Sequence, residues 1–195
     1  MKKVDYHFAY HEYASSDELN EADAQLVKQA REITKNAYAT YSKFRVGAAA
    51  LLKNGEIVKG TNQENASYPV GICAERTLLA AAATVYPEVP IETMAISYDN
   101  KNALNSSDHP IAPCGMCRQA LQEFEERTQT PVRLILTGME GPVFIIDNST
   151  QLLPLAFSGN ELKKGWGWRL DAIDHSDAGD YREVGKSFSF WFTVW

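Results

Sequence analysis

GICAERTLLAAAATVY, residues 71–86, sets a cysteine two positions before a glutamate at the head of a run rich in alanine and leucine. Such a run is helical by propensity, so Cys73 and Glu75 fall at the helix start. Upstream, FRVGAAALLKNGEIVKGTN (44–62) is two apolar runs around Asn54-Gly55, and Asn-Gly between strand-like runs signals a hairpin. Downstream, TMAISY (93–98) reads as a buried strand. The helix therefore lies between a hairpin and a strand.

Working outward, MCRQALQEFEER (116–127) reads as another amphipathic helix, after the polar loop DNKNALNSSDHPIA (99–112). PVRLILT (131–137) and PVFIID (142–147) are strands joined by GMEG, too short a link for a parallel crossover, so they are expected to run antiparallel. Towards the N-terminus, DELNEADAQLVKQAREITKNAY (17–38) is helical, with Leu26, Ala30, Ile33 and Ala37 on one face and Ser15 or Asn20 as its cap. Val4, Tyr6, Phe8 and Tyr10 alternate with polar or small residues and suggest an edge strand over 4–10. The order is β–α–β–β–α–β–α–β–β, a helix-covered mixed sheet of the α/β class.

The 195 residues suffice for one domain with a real core. A formal net charge of −6 argues against a long nucleic-acid footprint, which rests on lysine and arginine neutralising phosphates. No stretch approaches the ~18–20 apolar residues of a membrane span, and MKKVDYHFAYHEY does not read as a signal peptide. With three cysteines, two of them in Cys-x-x-Cys, reduced thiols in the cytoplasm are the expectation. All four tryptophans lie in the last thirty-odd residues, which end SFSFWFTVW and change character from the rest.

Cys114 and Cys117, in PCGMC, precede one helix as Cys73 precedes the other. Helix N-termini carry partial positive charge and favour thiolate, the zinc-binding form. Three protein ligands leave a fourth tetrahedral position for water, the catalytic rather than the structural arrangement. A structural site needs a fourth ligand, for which His109 is nearest in sequence; a thioredoxin-like redox pair leaves Cys73 and Glu75 unexplained. Glu75 reaches a water on the metal without binding the metal, as in zinc deaminases, where a (His or Cys)-x-Glu and a later Pro-Cys-x-x-Cys supply ligands and proton shuttle. Three thiolates also burden the ion with negative charge, which the guanidinium of Arg76 offsets by donating to the sulfurs.

YSKFRVGAAALL (41–52), TNQENASYPVGICAERTLLAA (61–81), PCGMCRQAL (113–121) and LLPLAFSGNEL (152–162) together make the chain resemble the cytidine deaminases of nucleoside salvage. The resemblance runs from about Leu26 to Lys163 and implies a three-layer α/β fold, a mixed five-stranded sheet with helices on both faces. It implies one Zn²⁺ per subunit on Cys73, Cys114 and Cys117, with Glu75 as catalytic acid/base and Arg76 supporting the thiolates. It places Asn62 and Glu64 on the ribose hydroxyls, and Phe44 and Ala74 with the substrate. Phe157 matches an aromatic that reaches a neighbouring subunit's site, implying a homotetramer with shared sites. Ala112 departs from the serine many members carry before Pro-Cys-Gly.

The expected reaction is hydrolytic deamination of cytidine and 2′-deoxycytidine to uridine and 2′-deoxyuridine, with no nucleic-acid or membrane partner. The alternatives are a deaminase of a blasticidin-type nucleoside analogue and a non-catalytic zinc-binding interaction module. The expected division is a deaminase domain over 1–163, core about 26–163, and a tryptophan-rich extension over 164–195 of unknown role.

Overall fold

Apolar runs with a period of two become strands, and the alanine- and leucine-rich runs become the helices that cover them. The computed structural model describes residues 1–102, 106–159 and 162. Its elements, in chain order, are β1 (His11–Tyr13), α1 (Glu21–Ile33), β2 (Phe44–Leu52), β3 (Ile57–Thr61), α2 (Ala74–Val85), β4 (Ile91–Asn100), α3 (Gly115–Thr128), β5 (Arg133–Thr137) and β6 (Val143–Ile146). The fold described here belongs to the unit Met1–Gly159. The stretch 164–195, expected as an extension, lies outside the described residues.

The strands form one sheet in the order β1-β6-β5-β4-β2-β3. Among the described strands only β4 and β5 pair in parallel; every other neighbouring pair is antiparallel, including β5 with β6, as their short link requires. Both β3 and β4 run antiparallel to β2, so they run parallel to each other. The steps from β3 to β4 and from β4 to β5 go the same way across the sheet. Right-handed crossovers then put α2 and α3 on one face.

The packing follows that rule. Leu78, Leu79 and Ala82 of α2 and Leu121 and Phe124 of α3 share a core with Ala48, Ala50, Leu52, Met94, Ile96, Leu134, Leu136 and Ile146. The intervening strand residues, Ala49, Ala95, Ile135, Val143 and Ile145, point the other way and pack with Leu26, Val27 and Ala30 of α1. Each fully buried large aliphatic, Leu78 or Ile135 for example, contributes roughly 2 kcal/mol. Two glycines admit the helices: a Cβ on Gly47 would strike the Ala30 carbonyl of α1, and one on Gly60 the Ala74 carbonyl of α2.

Among the described residues the sheet has six strands, as the order of elements gave and one more than the resemblance implied, and the first is not where aromatic alternation pointed. Residues 4–10 form no strand; β1 begins at His11 and pairs with β6. The alternating rings serve to dock the segment instead. Tyr10 packs on Phe144 at 4.7 Å, Phe8 on Tyr10 at 5.9 Å, and the Tyr6 hydroxyl donates to the Gln151 carbonyl at 2.7 Å.

The expected helix over 17–38 is also divided. Ser15 caps a short turn over Ser16–Glu18, whereas Asn20 caps α1 by accepting the Asp23 N–H at 2.9 Å, a contribution of about 1 kcal/mol. Asp23 then takes a two-pronged contact from Arg133, at 2.7 and 2.8 Å, which ties α1 to β5.

Candidate functional site

Because β3 and β4 point the same way, the helices that follow them start at the same edge of the sheet. Cys73 and Cys114 are the N-cap residues of α2 and α3, both with extended backbone, and neither spends its side chain on a capping bond. Their sulfurs instead face each other across 3.8 Å. Cys117, in the first turn of α3, places its sulfur 3.4 Å from that of Cys114. All three Sγ atoms lie within 4.8 Å of one another.

This set fits zinc. Sulfurs ~2.3 Å from a tetrahedral ion stand about 3.8 Å apart. Two helix N-termini aimed at the cluster favour the thiolate form. Among themselves the sulfurs share protons unequally. The hydrogen bond with Cys117 draws the Cys73 thiol down to about 6, against burial. The same bond, with burial added, pushes the Cys117 thiol up.

Glu75, in the first turn of α2, is 5% exposed. Burial raises its carboxyl above the ordinary range, and hydrogen bonds from its own backbone N–H and the Cys117 thiol oppose the shift. A buried carboxyl with a raised pKa, beside three sulfurs, is equipped to take and return a proton.

Above these residues opens a cavity of about 570 Å³. Cys73, Glu75 and Cys114 line its floor, and Phe44, Asn62, Glu64, Tyr68, Ile111, Ala112 and Met116 line the walls. Phe44 stacks on Tyr98 with centroids 4.9 Å apart and planes inclined 19°. Asn62 is locked to β2: its Nδ2 donates to the Phe44 carbonyl at 3.0 Å and its Oδ1 accepts the Val46 N–H at 2.8 Å. Glu64 gathers the loop at Tyr41 and Ser42, accepting the Tyr41 N–H at 2.8 Å and the Ser42 hydroxyl. That hydroxyl is the main reason the Glu64 carboxyl sits below its usual range.

The structure thus brings Cys73, Cys114, Cys117, Glu75, Phe44, Asn62 and Glu64 to one place. Three other expected site residues stand apart. Ala74 is fully buried behind Cys73, against Gly60. Arg76 affects Cys73 through its charge, yet its polar contact is the Met116 sulfur at 3.9 Å rather than a thiol. Phe157 is 57% exposed and lies outside the cavity of its own chain. His109 is occupied elsewhere, at 3.1 Å from the Tyr98 hydroxyl and 3.2 Å from Asp108, and among the described residues the metal-ligating cluster has three members. Tyr68, Ile111 and Met116 were not foreseen as walls. Tyr68 lies in a stretch matched as a motif, and Met116 fills the variable position of Cys-Gly-x-Cys, so neither carried a signal of its own.

Residues 20–131 match the sequence family described as the cytidine and deoxycytidylate deaminase zinc-binding region. A cytidine deaminase of Halalkalibacterium halodurans is 36% identical over 137 residues, covering 70% of this chain and 95% of that protein. Blasticidin-S deaminase of Bacillus cereus is 26% identical over 142 residues, 73% of this chain and 96% of that protein. Among solved structures, cytidine deaminase from Burkholderia pseudomallei superposes with a TM-score of 0.59 and 36% identity, over 71% of this chain and all of that one (100%). Cytidine deaminase from Mycobacterium tuberculosis gives 0.52 and 28%, over 69% and 95%.

Proposed function

This chain belongs to the cytidine and deoxycytidylate deaminase family, and from that premise we propose that it converts cytidine and 2′-deoxycytidine, with water, to uridine and 2′-deoxyuridine plus ammonia. The observation that carries the reading is the meeting of three sulfurs at the heads of two helices, with the buried Glu75 carboxyl beside them. Cys73, Cys114 and Cys117 hold one Zn²⁺ per subunit. Bound there, zinc lowers the pKa of water towards ~7 and so supplies the nucleophile.

Glu75 takes the proton from the attacking water and delivers it to N3 of the base, which makes C4 electrophilic. The water oxygen forms its bond to C4, Glu75 then takes the remaining hydroxyl proton from that oxygen and passes it to the exocyclic amine, and the C4–N bond breaks to release ammonia as the C4 carbonyl forms. One carboxyl thus acts first as base and then as acid, a use that its raised pKa supports. Phe44 presents its ring to the base. Asn62 and Glu64 meet the ribose hydroxyls, the amide with its second N–H and the carboxylate with its remaining lone pairs. Ala74 orders the backbone at the head of α2, and Arg76 offsets the charge of the thiolates.

The exposure of Phe157 outside its own cavity supports a homotetramer in which this ring completes a neighbour's site. We place the catalytic domain at 1–163 and assign the enzyme to pyrimidine salvage in the cytoplasm. No helix among the described residues is long and apolar enough to cross a membrane.

The test is loss of cytidine ultraviolet absorbance with purified protein. Activity that a chelator abolishes and zinc restores is expected. Zinc-replete protein that leaves both nucleosides intact overturns the reading. A blasticidin-type analogue assayed in parallel separates the sibling activity, and Asn62 and Glu64 favour the ordinary ribose.

A further inference from the structure

Arg118 stands directly after the last cysteine, in the first turn of α3. A cation there opposes the helix dipole, at a cost of about 0.3–1 kcal/mol. Its contacts account for the placement. Arg118 Nε donates to the Pro113 carbonyl at 2.8 Å, and Nη1 donates to the Leu152 carbonyl at 3.0 Å. The next residue repeats the pattern: Gln119 Nε2 donates to the Phe157 carbonyl at 2.9 Å. Arg118 is half-buried, and Pro113 is buried.

The Pro113 carbonyl belongs to the peptide plane that enters Cys114. Cys114 is the N-cap of α3, and its side chain makes no capping bond that would fix its direction. Fixing that plane fixes the direction in which Cys114 carries its sulfur. A guanidinium, with donors in a rigid planar fork, can hold two carbonyls from separate segments at once; an ammonium is a point donor on a flexible stem.

We propose that Arg118 is a positioning residue that couples the cysteine loop to the 152–157 segment, so that one side chain sets both the aim of Cys114 and the course of the chain leading to Phe157. The inference rests on the deaminase reading only in taking the sulfurs as metal ligands.

The test compares the full chain with Arg118→Met, Arg118→Lys and Gln119→Met. Zinc release is followed with a chromogenic chelator, thiolate-to-cobalt absorption in the cobalt-loaded protein, and amide hydrogen exchange over 152–157. In Arg118→Met, release about tenfold faster, a shifted cobalt band and faster exchange are expected together. Arg118→Lys changes all three in the same direction by less, and it decides the matter if the methionine variant does not fold. Gln119→Met speeds exchange near Phe157 but releases zinc at the original rate. Unchanged release and cobalt spectrum in the folded Arg118 variants overturn the proposal. Should the parent protein take up no metal, the deaminase reading falls, while the exchange of 152–157 in the variants still decides whether Arg118 holds that segment.

Discussion

Phe44 lies almost flat on Tyr98, 4.9 Å between centroids, and the Tyr98 hydroxyl is in turn 3.1 Å from His109. The cavity wall is therefore an aromatic face backed by a second, buried ring, a stack worth about 0.5–1.5 kcal/mol beyond its burial. Phe44→Ala removes the face but touches neither sulfur nor Glu75. KM for cytidine should rise about tenfold while kcat changes less than threefold. A kcat loss larger than the KM gain, measured in steady state, would place Phe44 in the chemical step instead.

Glu75→Gln keeps the size and burial of the side chain but cannot carry the proton. Turnover should fall by about 10³-fold, near the middle of the range for loss of a general acid/base. Zinc content by elemental analysis should stay at the parent level, because the three thiols remain. Parent-like turnover by this variant would remove Glu75 from proton transfer.

Gly60→Ala tests the close approach of α2 to β3. The added Cβ meets backbone, the Ala74 carbonyl, and lies 2.6 Å from the Leu78 nitrogen, so no side-chain rotation relieves it. The helix must move, carrying Cys73 and Glu75 with it. A destabilisation of about 2–3 kcal/mol in denaturant unfolding is expected, together with weakened zinc binding. Parent stability would mean that the two elements have slack.

Glu125, buried towards the end of α3, gives a pH signature. Its carboxylate accepts the Val132 N–H at 3.0 Å and the Ser149 hydroxyl at 2.5 Å, and burial outweighs these bonds to raise its pKa above 4.5. The folded protein thus binds this proton more tightly than the unfolded chain does. The associated stability is complete below 4.5 and is lost as pH climbs through the raised value. Denaturation midpoints taken from pH 4.5 upward should therefore decline more steeply in the parent protein than in Glu125→Gln. Parallel declines would assign the slope to other groups.

Where sequence periodicity coincided with burial, the fold was legible: the Asn54-Gly55 hairpin, the run at 93–98 and the helices that follow Cys73 and Cys114 all fall where pattern and propensity agree. The convergence of Cys73 with Cys114 was readable too, since each heads a helix following a strand. Residues 4–10 misled because alternating aromatics satisfy rings as well as they satisfy a sheet. His11-Glu12-Tyr13, which does pair, has no apolar alternation; its partner β6 supplies the hydrogen bonds. The cavity walls at Ile111 and Met116, and the engagement of Asn62 with β2, arise from tertiary contacts that one-dimensional spacing does not encode.

Cys73 and Cys114 lie forty-one positions apart yet 3.8 Å from sulfur to sulfur. An ion gripping both is a staple across a large ring of chain that contains α2 and β4. In a chain-entropy account, a cross-link enclosing a ring of that size is worth about 4 kcal/mol by curtailing the freedom of the denatured polymer. Stripping the ion therefore does more than silence a site: it hands that disorder back to the unfolded ensemble and lowers the melting point of the whole sheet.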